Sequence, residues 1–68
     1  MREFNLNTEY IALCDLLKTT GMCESGGAAK VAIAHGLVKV DGEKETRKAC
    51  KIRPGQKVEF QGEEITVR

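Results

Sequence analysis

Gly36-Leu37-Val38-Lys39-Val40-Asp41-Gly42 is the stretch that decides the fold of this 68-residue chain. Its apolar residues make a β-prone run, which is typical of a short strand. The Asp-Gly pair at its end is a strong signal for a β-hairpin turn. The glycine at its start is a typical residue for the end of a preceding helix. The stretch therefore predicts a helix, a strand and a tight turn in close succession.

Two helices are predicted before this stretch. Ser25 is placed to cap the second of them, which continues through the small and β-branched residues 28–33. Further towards the N-terminus, apolar residues recur at helical spacing, so the first helix is predicted from about residue 8 to residue 18. Asn7 or Thr8 is predicted to cap its start, because both side chains accept a hydrogen bond from a helix N–H group.

Short strands are predicted at both ends of the chain. Residues 2–6 alternate polar and apolar side chains, and so do residues 58–60 and 65–67. Arg53-Pro54-Gly55 and Gln61-Gly62 have the composition of turns. We therefore expect one domain spanning residues 1–68, of the α+β class, with both helices packed on a small, mostly antiparallel sheet.

The near-neutral total charge hides an uneven distribution. Eleven basic and ten acidic residues give +1, yet residues 18–58 carry a net charge of +5. The densest basic stretch, residues 44–57, has six bases and one acid. Such a stretch is either a solvated face that keeps the protein soluble or a surface that binds a polyanion.

Two segments are candidates for holding an anion. In the stretch 44–57, an extended backbone points Arg47 and Lys51 one way and Lys48 the other, whereas a loop presents all three together. Arg47 is the best single candidate, because a guanidinium makes forked contacts to phosphate oxygens. The small residues 25–27, at a predicted helix start, either leave N–H groups open to a phosphate or only cap a closely packed helix.

Several other kinds of protein and site are not favoured. No apolar run approaches the roughly 18 residues of a membrane span, and the N-terminus lacks the apolar stretch of a signal peptide, so we expect a cytoplasmic protein. Zinc is bound by cysteine and histidine, and the chain has four such residues, namely Cys14, Cys23, Cys50 and the single histidine. No pair of these cysteines has the sequence spacing of metal ligands. We expect reduced thiols, no metal and no cofactor.

Catalytic side chains are also scarce. The chain has one serine, Ser25, one histidine, His35, and two aspartates, so counting alone does not exclude a triad. There is no nucleophile elbow, however, and a chain of this size has little room for a shielded site. His35 is placed near a predicted helix end, where an imidazolium interacts favourably with the helix dipole. We therefore predict that the protein is not an enzyme.

A set of residues matches a known family pattern in both order and spacing. They are Leu13, Leu16, Leu17, Gly21, Ser25, Ala29, Lys30, Ile33 and the segments 36–42, 46–48 and 52–58. Through them, residues 10–60 resemble the alpha-L RNA-binding motif, which is the domain type of the small-subunit ribosomal protein S4. The whole chain looks like the small stand-alone bacterial members of this family.

This resemblance implies an RNA-binding face made by the start of the second helix and the basic segment after the Asp-Gly turn. The contacts that it implies are Lys30, Arg47, Lys48 and Lys51, with Lys18, Lys39 and Lys44 as further candidates. Two positions depart from the family pattern. Gly26 stands where many members have arginine, and Asp41 stands where the turn usually has asparagine. Both departures are expected to weaken binding or to narrow the range of RNA accepted.

Two functions follow as hypotheses. The first is a small monomeric protein that binds structured RNA of ribosomal or transfer-RNA type and has no membrane partner. With only three aromatic residues, Phe4, Tyr10 and Phe60, it is expected to read backbone and shape rather than unstacked bases. The alternative is a protein–protein adaptor that uses the same basic face on an acidic partner, since a basic patch does not choose among polyanions.

Overall fold

The strand expected at the centre of the sequence is present, with Val38 and Val40 buried and Lys39 exposed between them. The computed structural model describes residues 2–68 and contains seven strands and two helices over that range. In chain order they are β1 (Arg2–Phe4), β2 (Ile11–Ala12), α1 (Leu13–Thr19), α2 (Gly26–Ala34), β3 (Val38–Val40), β4 (Glu43–Lys44), β5 (Lys51–Ile52), β6 (Lys57–Phe60) and β7 (Glu63–Val67).

The strands form one larger and one smaller sheet. The five-stranded sheet has the order β1-β7-β6-β3-β4, and within it only β1 and β7 run parallel. β2 and β5 form a separate antiparallel pair. Two hairpins of the larger sheet close through Asp41-Gly42 and Gln61-Gly62, where all four residues have positive φ. Positive φ at both central positions defines the tight turn that suits twisted strands, which is why Asp-Gly predicts it correctly.

One hydrophobic core joins the helices to both sheets. Its members are Leu13, Leu16, Leu17, Cys23, Ala29, Ala32, Ile33, Val38, Val40, Ile52, Val58, Phe60, Ile65 and Val67. α1 supplies three leucines with no exposed surface, whereas α2 supplies two alanines and one isoleucine, so the second helix packs closely. The prediction of an α+β fold with two helices on a mostly antiparallel sheet is therefore confirmed.

The predicted start of the first helix is wrong. α1 begins at Leu13 rather than at residue 8, and Ala12, the residue before it, provides no side-chain cap. Its first N–H groups instead donate to carbonyls of a distant loop, from Leu13 to Cys50 at 2.9 Å and from Cys14 to Lys48 at 3.2 Å. Helix N–H groups without a partner inside the helix need one outside it, and here the loop provides it. Pairing of β2 with β5 then keeps the preceding residues extended.

The predicted second helix is present with the expected ends. The hydroxyl of Ser25 accepts a hydrogen bond from the Ala28 N–H at 3.1 Å, as a helix cap does. The helix ends at Ala34, and Gly36 follows with a φ of 73° that few other residues adopt. Over the residues that the structure describes, neither helix has the length and hydrophobicity needed to cross a lipid bilayer.

Candidate nucleic-acid interface

An open pocket of about 740 Å³ lies between helix α2 and the loop that connects β4 to β5. Helix α2 contributes Lys30 and Ala34 to it, which lie one helical turn apart on the same face. The loop contributes residues 46–50, and β5 contributes its first residue, Lys51. Four of the predicted contact residues, Lys30, Arg47, Lys48 and Lys51, are therefore brought to one pocket. The second half of α2, rather than its start, lines this pocket.

The loop of the pocket is held by its backbone, which leaves its charged side chains exposed. The Cys50 and Lys48 carbonyls accept the first N–H groups of α1, and the Cys50 N–H donates to the Arg47 carbonyl at 3.1 Å. Ile52, just beyond the loop, has no exposed surface and anchors the segment in the core. Because residues 45–50 form a loop and turn rather than a strand, Arg47, Lys48 and Lys51 all reach the same pocket.

Arg47 is oriented by an acidic neighbour. Its Nε and Nη2 atoms donate to the two carboxylate oxygens of Glu45 at 2.9 and 3.1 Å, and its backbone N–H donates to the same carboxylate at 3.0 Å. These bonds lower the pKa of Glu45 from 4.5 to about 2. The Arg47 side chain is still 78% exposed. A guanidinium has five N–H donors, so three remain for a ligand.

The three lysines of the pocket have no acidic neighbour of this kind. Within residues 2–68, the ion pairs are Arg2–Glu63, Arg47–Glu45, Lys57–Glu64 and Arg68–Glu3. Lys30, Lys48 and Lys51 take part in none of them. Their charges are therefore not neutralised by a nearby carboxylate, and the pocket carries a positive field that attracts anions.

The other three predicted contacts lie outside the pocket. Lys18 is in the last turn of α1. Lys39 borders a separate groove together with Glu59 and Phe60. Lys44 is directly across from Lys39 in the β3–β4 pair, and its side chain lies against Gly36 at the end of α2. The structure thus brings together four of the seven candidate lysines and arginines and places three elsewhere.

The two positions that depart from the family pattern also lie away from the pocket lining. The carboxylate of Asp41 accepts hydrogen bonds from the Lys57 N–H at 2.9 Å and from the Gln56 side chain at 3.0 Å. These bonds, the Lys57 N–H first, hold the pKa of Asp41 below its usual value. These hydrogen bonds therefore hold the β3–β4 turn against Gln56 and against Lys57, the first residue of β6. A side chain at Gly26 would meet nothing within 4 Å, so space does not require glycine there.

One residue near the pocket was not identified from the sequence as part of the site. Tyr10 is 42% exposed, and its ring lies under two cations, with the Lys51 Nζ 4.9 Å and the Arg53 Cζ 5.9 Å from the ring centroid. Helical spacing placed Tyr10 in the first helix, whereas it precedes β2. The signal that points to this cluster is the alternation of Lys51, Ile52 and Arg53, which puts both cations on one face.

Residues considered for other chemistry have structural positions. The Ser25 hydroxyl caps α2, and His35 is the residue that follows the same helix. Burial raises the pKa of the Cys23 thiol, and burial together with Glu45 raises that of Cys50. Over residues 2–68, no three histidine, cysteine, aspartate or glutamate side chains are grouped so that they could hold a metal ion.

Two helices on a mostly antiparallel sheet, with a basic loop facing the second helix, define a small α+β domain with a cationic surface. The chain belongs to the S4 domain family, whose sequence model matches residues 4–68. Over 68 residues it is 54% identical to YbcJ of Escherichia coli (strain K12), covering 98% of this chain and 97% of that protein. YbcJ of Shigella flexneri matches to the same extent.

A solved structure shows the same architecture. The solution structure of YbcJ from E. coli, described as revealing an alpha-L motif involved in RNA binding, superposes with a TM-score of 0.76 at 54% identity. The match covers 98% of this chain and 86% of that one. These likenesses confirm the resemblance to the alpha-L motif and to its small bacterial members, since the chain aligns with 97% of the E. coli protein.

Proposed function

We propose that this protein binds structured RNA through the pocket formed by Lys30, Arg47, Lys48 and Lys51. The observation that carries the proposal is the convergence of these four cations, from two distant parts of the chain, on one open surface. The description of the E. coli relative's motif as involved in RNA binding supports RNA as the polyanion. Membership in the S4 domain family points in the same direction.

The chemistry of the pocket suits phosphate groups of an RNA backbone. Arg47 offers a planar fork whose position is set by Glu45, so little side-chain freedom is lost when a phosphate oxygen binds. Lys30, Lys48 and Lys51 supply three further positive charges around it. Each phosphate that they neutralise releases condensed counterions, which makes such binding fall with salt concentration.

The ligand is a folded RNA rather than an unpaired strand. The pocket is lined by cations and small side chains, and no aromatic residue lines it. Single-strand binders use exposed aromatic rings as stacking platforms, which the pocket does not provide, and the Tyr10 ring near it already lies under two cations. Recognition by backbone and shape is the mode used on helical RNA, such as segments of ribosomal or transfer RNA. We expect the protein to act as a monomer in the cytoplasm, in a binding role without catalysis or a cofactor.

The first experiment is fluorescence anisotropy with labelled bulk bacterial transfer RNA and a labelled fragment of small-subunit ribosomal RNA, at several salt concentrations. Wild type is compared with the triple variant Arg47→Ala, Lys48→Ala and Lys51→Ala. A matched control removes three cations from the large sheet, as Arg2→Ala, Lys57→Ala and Arg68→Ala. Circular dichroism and thermal unfolding establish that each variant is folded.

The expected result is salt-dependent binding by wild type and by the control, and weak binding by the pocket variant. If four phosphates are contacted, the slope of log affinity against log salt is roughly −3 to −4. A slope near zero, or equal losses in both triple variants, would contradict the pocket. A folded wild type that binds none of the RNAs, but retains a protein partner after nuclease treatment, would favour the adaptor hypothesis instead.

A further inference from the structure

The small sheet formed by β2 and β5 extends the basic surface beyond the pocket. Ile11 pairs with Ile52 and Ala12 with Lys51, so continuing the antiparallel register places Tyr10 across from Arg53. Residues directly opposite each other in such a pair share a face. Ile52 is fully buried, so the residues on either side of it point the other way, towards solvent. Tyr10, Lys51 and Arg53 therefore project from one side of this sheet.

A small residue opposite Lys51 leaves room for the lysine side chain to reach the Tyr10 ring. This residue is Ala12, which pairs directly with Lys51 and has only a methyl side chain. Tyr10 is the diagonal neighbour of Lys51 on the same face. The Lys51 Nζ lies 4.9 Å from the ring centroid and the Arg53 Cζ lies 5.9 Å from it. Both distances are within the range of about 6 Å in which the ring quadrupole attracts a cation.

Two positive groups are thus held beside one ring without a carboxylate in direct contact with either of them. Within residues 2–68, neither Lys51 nor Arg53 forms an ion pair. An aromatic ring reduces the repulsion between them but removes none of their net charge. An anion that contacts both groups is therefore attracted by two positive charges that no ion pair neutralises.

The backbone on both sides of the cluster is fixed. The Thr8 hydroxyl donates to the Tyr10 carbonyl at 2.9 Å, and the Arg53 N–H donates to the Gln56 side chain at 2.8 Å. The second bond closes the Arg53-Pro54-Gly55 turn, in which Gly55 has a φ of 97°. The three side chains are therefore positioned in the free protein rather than assembled by a ligand.

We propose that Tyr10, Lys51 and Arg53 form a second phosphate-binding site for the RNA backbone, next to the pocket. Lys51 belongs to both, so an RNA strand that leaves the pocket passes directly over this site. Tyr10 is the positioning residue, which holds the lysine and arginine side by side. This inference rests on the proposed RNA-binding function and adds Arg53 and Tyr10 to its surface.

The test measures anisotropy with the same labelled transfer RNA and ribosomal RNA fragment. Arg53→Gln is expected to lower affinity about five-fold near physiological salt and to make the salt slope shallower by about one, as the loss of one phosphate contact does. Tyr10→Leu is expected to lower affinity by about two- to five-fold, the value of an exposed cation–π contact. Tyr10→Phe keeps the ring and is expected to bind like wild type.

The control is Arg68→Gln, which removes an arginine that follows β7 and is paired with Glu3 of β1. Thermal unfolding of each variant separates a loss of RNA binding from a loss of folding. If Tyr10→Leu does not fold, Arg53→Gln and Tyr10→Phe still test the second site. The Tyr10 ring is expected to shift the Lys51 side-chain protons upfield in wild type, and this shift is expected to disappear in Tyr10→Leu.

Two failures are distinguishable. If wild type binds RNA but Arg53→Gln behaves like Arg68→Gln, the second site is wrong and the pocket proposal stands. If wild type binds neither RNA, the proposed function itself fails and the second site fails with it. A Tyr10→Phe variant that binds as weakly as Tyr10→Leu would assign the effect to the hydroxyl and overturn the positioning role of the ring.

Discussion

The β1–β7–β6 side of the large sheet and the pocket use cations in opposite ways. Arg2 on β1, Lys57 on β6 and Arg68 just after β7 each lie within 4 Å of a carboxylate of the neighbouring strand. Around the pocket only Arg47 has such a partner, and that partner orients it. Lys30, Lys48 and Lys51 have none within the part of the chain that the structure describes.

This difference shows how a protein of net charge +1 presents a positive surface. Exposed ion pairs contribute little stability, about 0–1 kcal/mol each, but they cancel the field of the cations that form them. Pairing charges across β1, β6 and β7 therefore weakens the positive field on that side of the large sheet. Lys39 and Lys44, on β3 and β4, form no ion pair within residues 2–68, and neither do the lysines of the pocket. The placement of acidic residues, more than the number of basic ones, determines where a polyanion is attracted.

The largest expected effect comes from removing the anchor beneath the pocket loop. Ile52→Ala and Ile65→Ala each delete a side chain with no exposed surface, one beside the pocket and one in β7. Both are expected to lower the free energy of unfolding by about 2–5 kcal/mol, as measured by urea denaturation. Only Ile52→Ala is also expected to weaken RNA binding of the folded protein, because Ile52 fixes Lys51 and the loop.

The comparison of these two variants is made at low temperature, where circular dichroism shows that both are folded. Equal RNA affinities in the two folded variants would contradict the idea that the core beneath β5 positions the pocket.

Reversing charges in the two regions is expected to give the next largest effect. Lys30→Glu with Lys48→Glu removes two phosphate contacts and adds repulsion, so RNA affinity is expected to fall about thirty-fold or more near physiological salt. Lys57→Glu with Arg68→Glu changes the net charge equally, and is expected to lower affinity several-fold at most, through long-range repulsion. Anisotropy titrations of both double variants at one salt concentration measure the contrast. If only net charge matters, the two variants will bind equally.

The ion pair between Glu45 and Arg47 predicts a pH dependence that is particular to the pocket. The pKa of Glu45 is lowered from 4.5 to about 2 by its bonds to Arg47. A carboxyl with a lowered pKa stabilises the fold fully above 4.5, and this contribution is lost as the pH falls from 4.5 towards 2. The difference in unfolding free energy between wild type and Glu45→Gln is therefore expected to be constant at neutral pH and to shrink over that acid range.

Urea denaturation at a series of pH values measures this difference, and an NMR titration of the Glu45 carboxyl carbon measures the pKa directly. Arg47→Gln is the companion variant, in which the Glu45 midpoint is expected to rise towards its ordinary value. A wild-type midpoint near 4.5 would show that the pair does not form in solution.

The sequence predicts best where a local pattern has one physical solution. Asp41-Gly42 predicts its hairpin turn because both residues tolerate positive φ, and Ser25 predicts a helix start because its hydroxyl accepts a helix N–H bond. The match to the alpha-L pattern also predicts the order in which these elements follow one another along the chain. Those features determine the fold, and the prediction of its class is correct.

The parts that were not predicted depend on contacts between distant segments. The start of α1 is set by carbonyls of Lys48 and Cys50, and nothing near residue 13 in the sequence indicates them. The same bonds bend the basic segment into a loop, which brings Lys48 beside Lys30. Helical spacing also predicts the wrong structure for Tyr10. The residue across from it, Arg53, is 43 positions away in the sequence, so no local pattern indicates that contact. Which cations share a surface is thus a property of tertiary structure.

The smallest expected effect on stability comes from a matched pair of single substitutions, which sharpens the contrast between the two regions. Lys57→Gln removes an exposed ion pair whose atoms are 3.9 Å apart, so its cost is expected to be below about 0.5 kcal/mol, with RNA affinity nearly unchanged. Lys48→Gln is expected to leave stability within the same limit, because only the Lys48 backbone contacts α1. It is nevertheless expected to lower RNA affinity about five-fold and to make the salt slope shallower by about one. The same substitution at two lysines thus compares a lysine whose charge is balanced by an ion pair with a lysine whose charge is available to a ligand. If Lys57→Gln changes the salt slope as much as Lys48→Gln does, RNA contacts the large sheet as well.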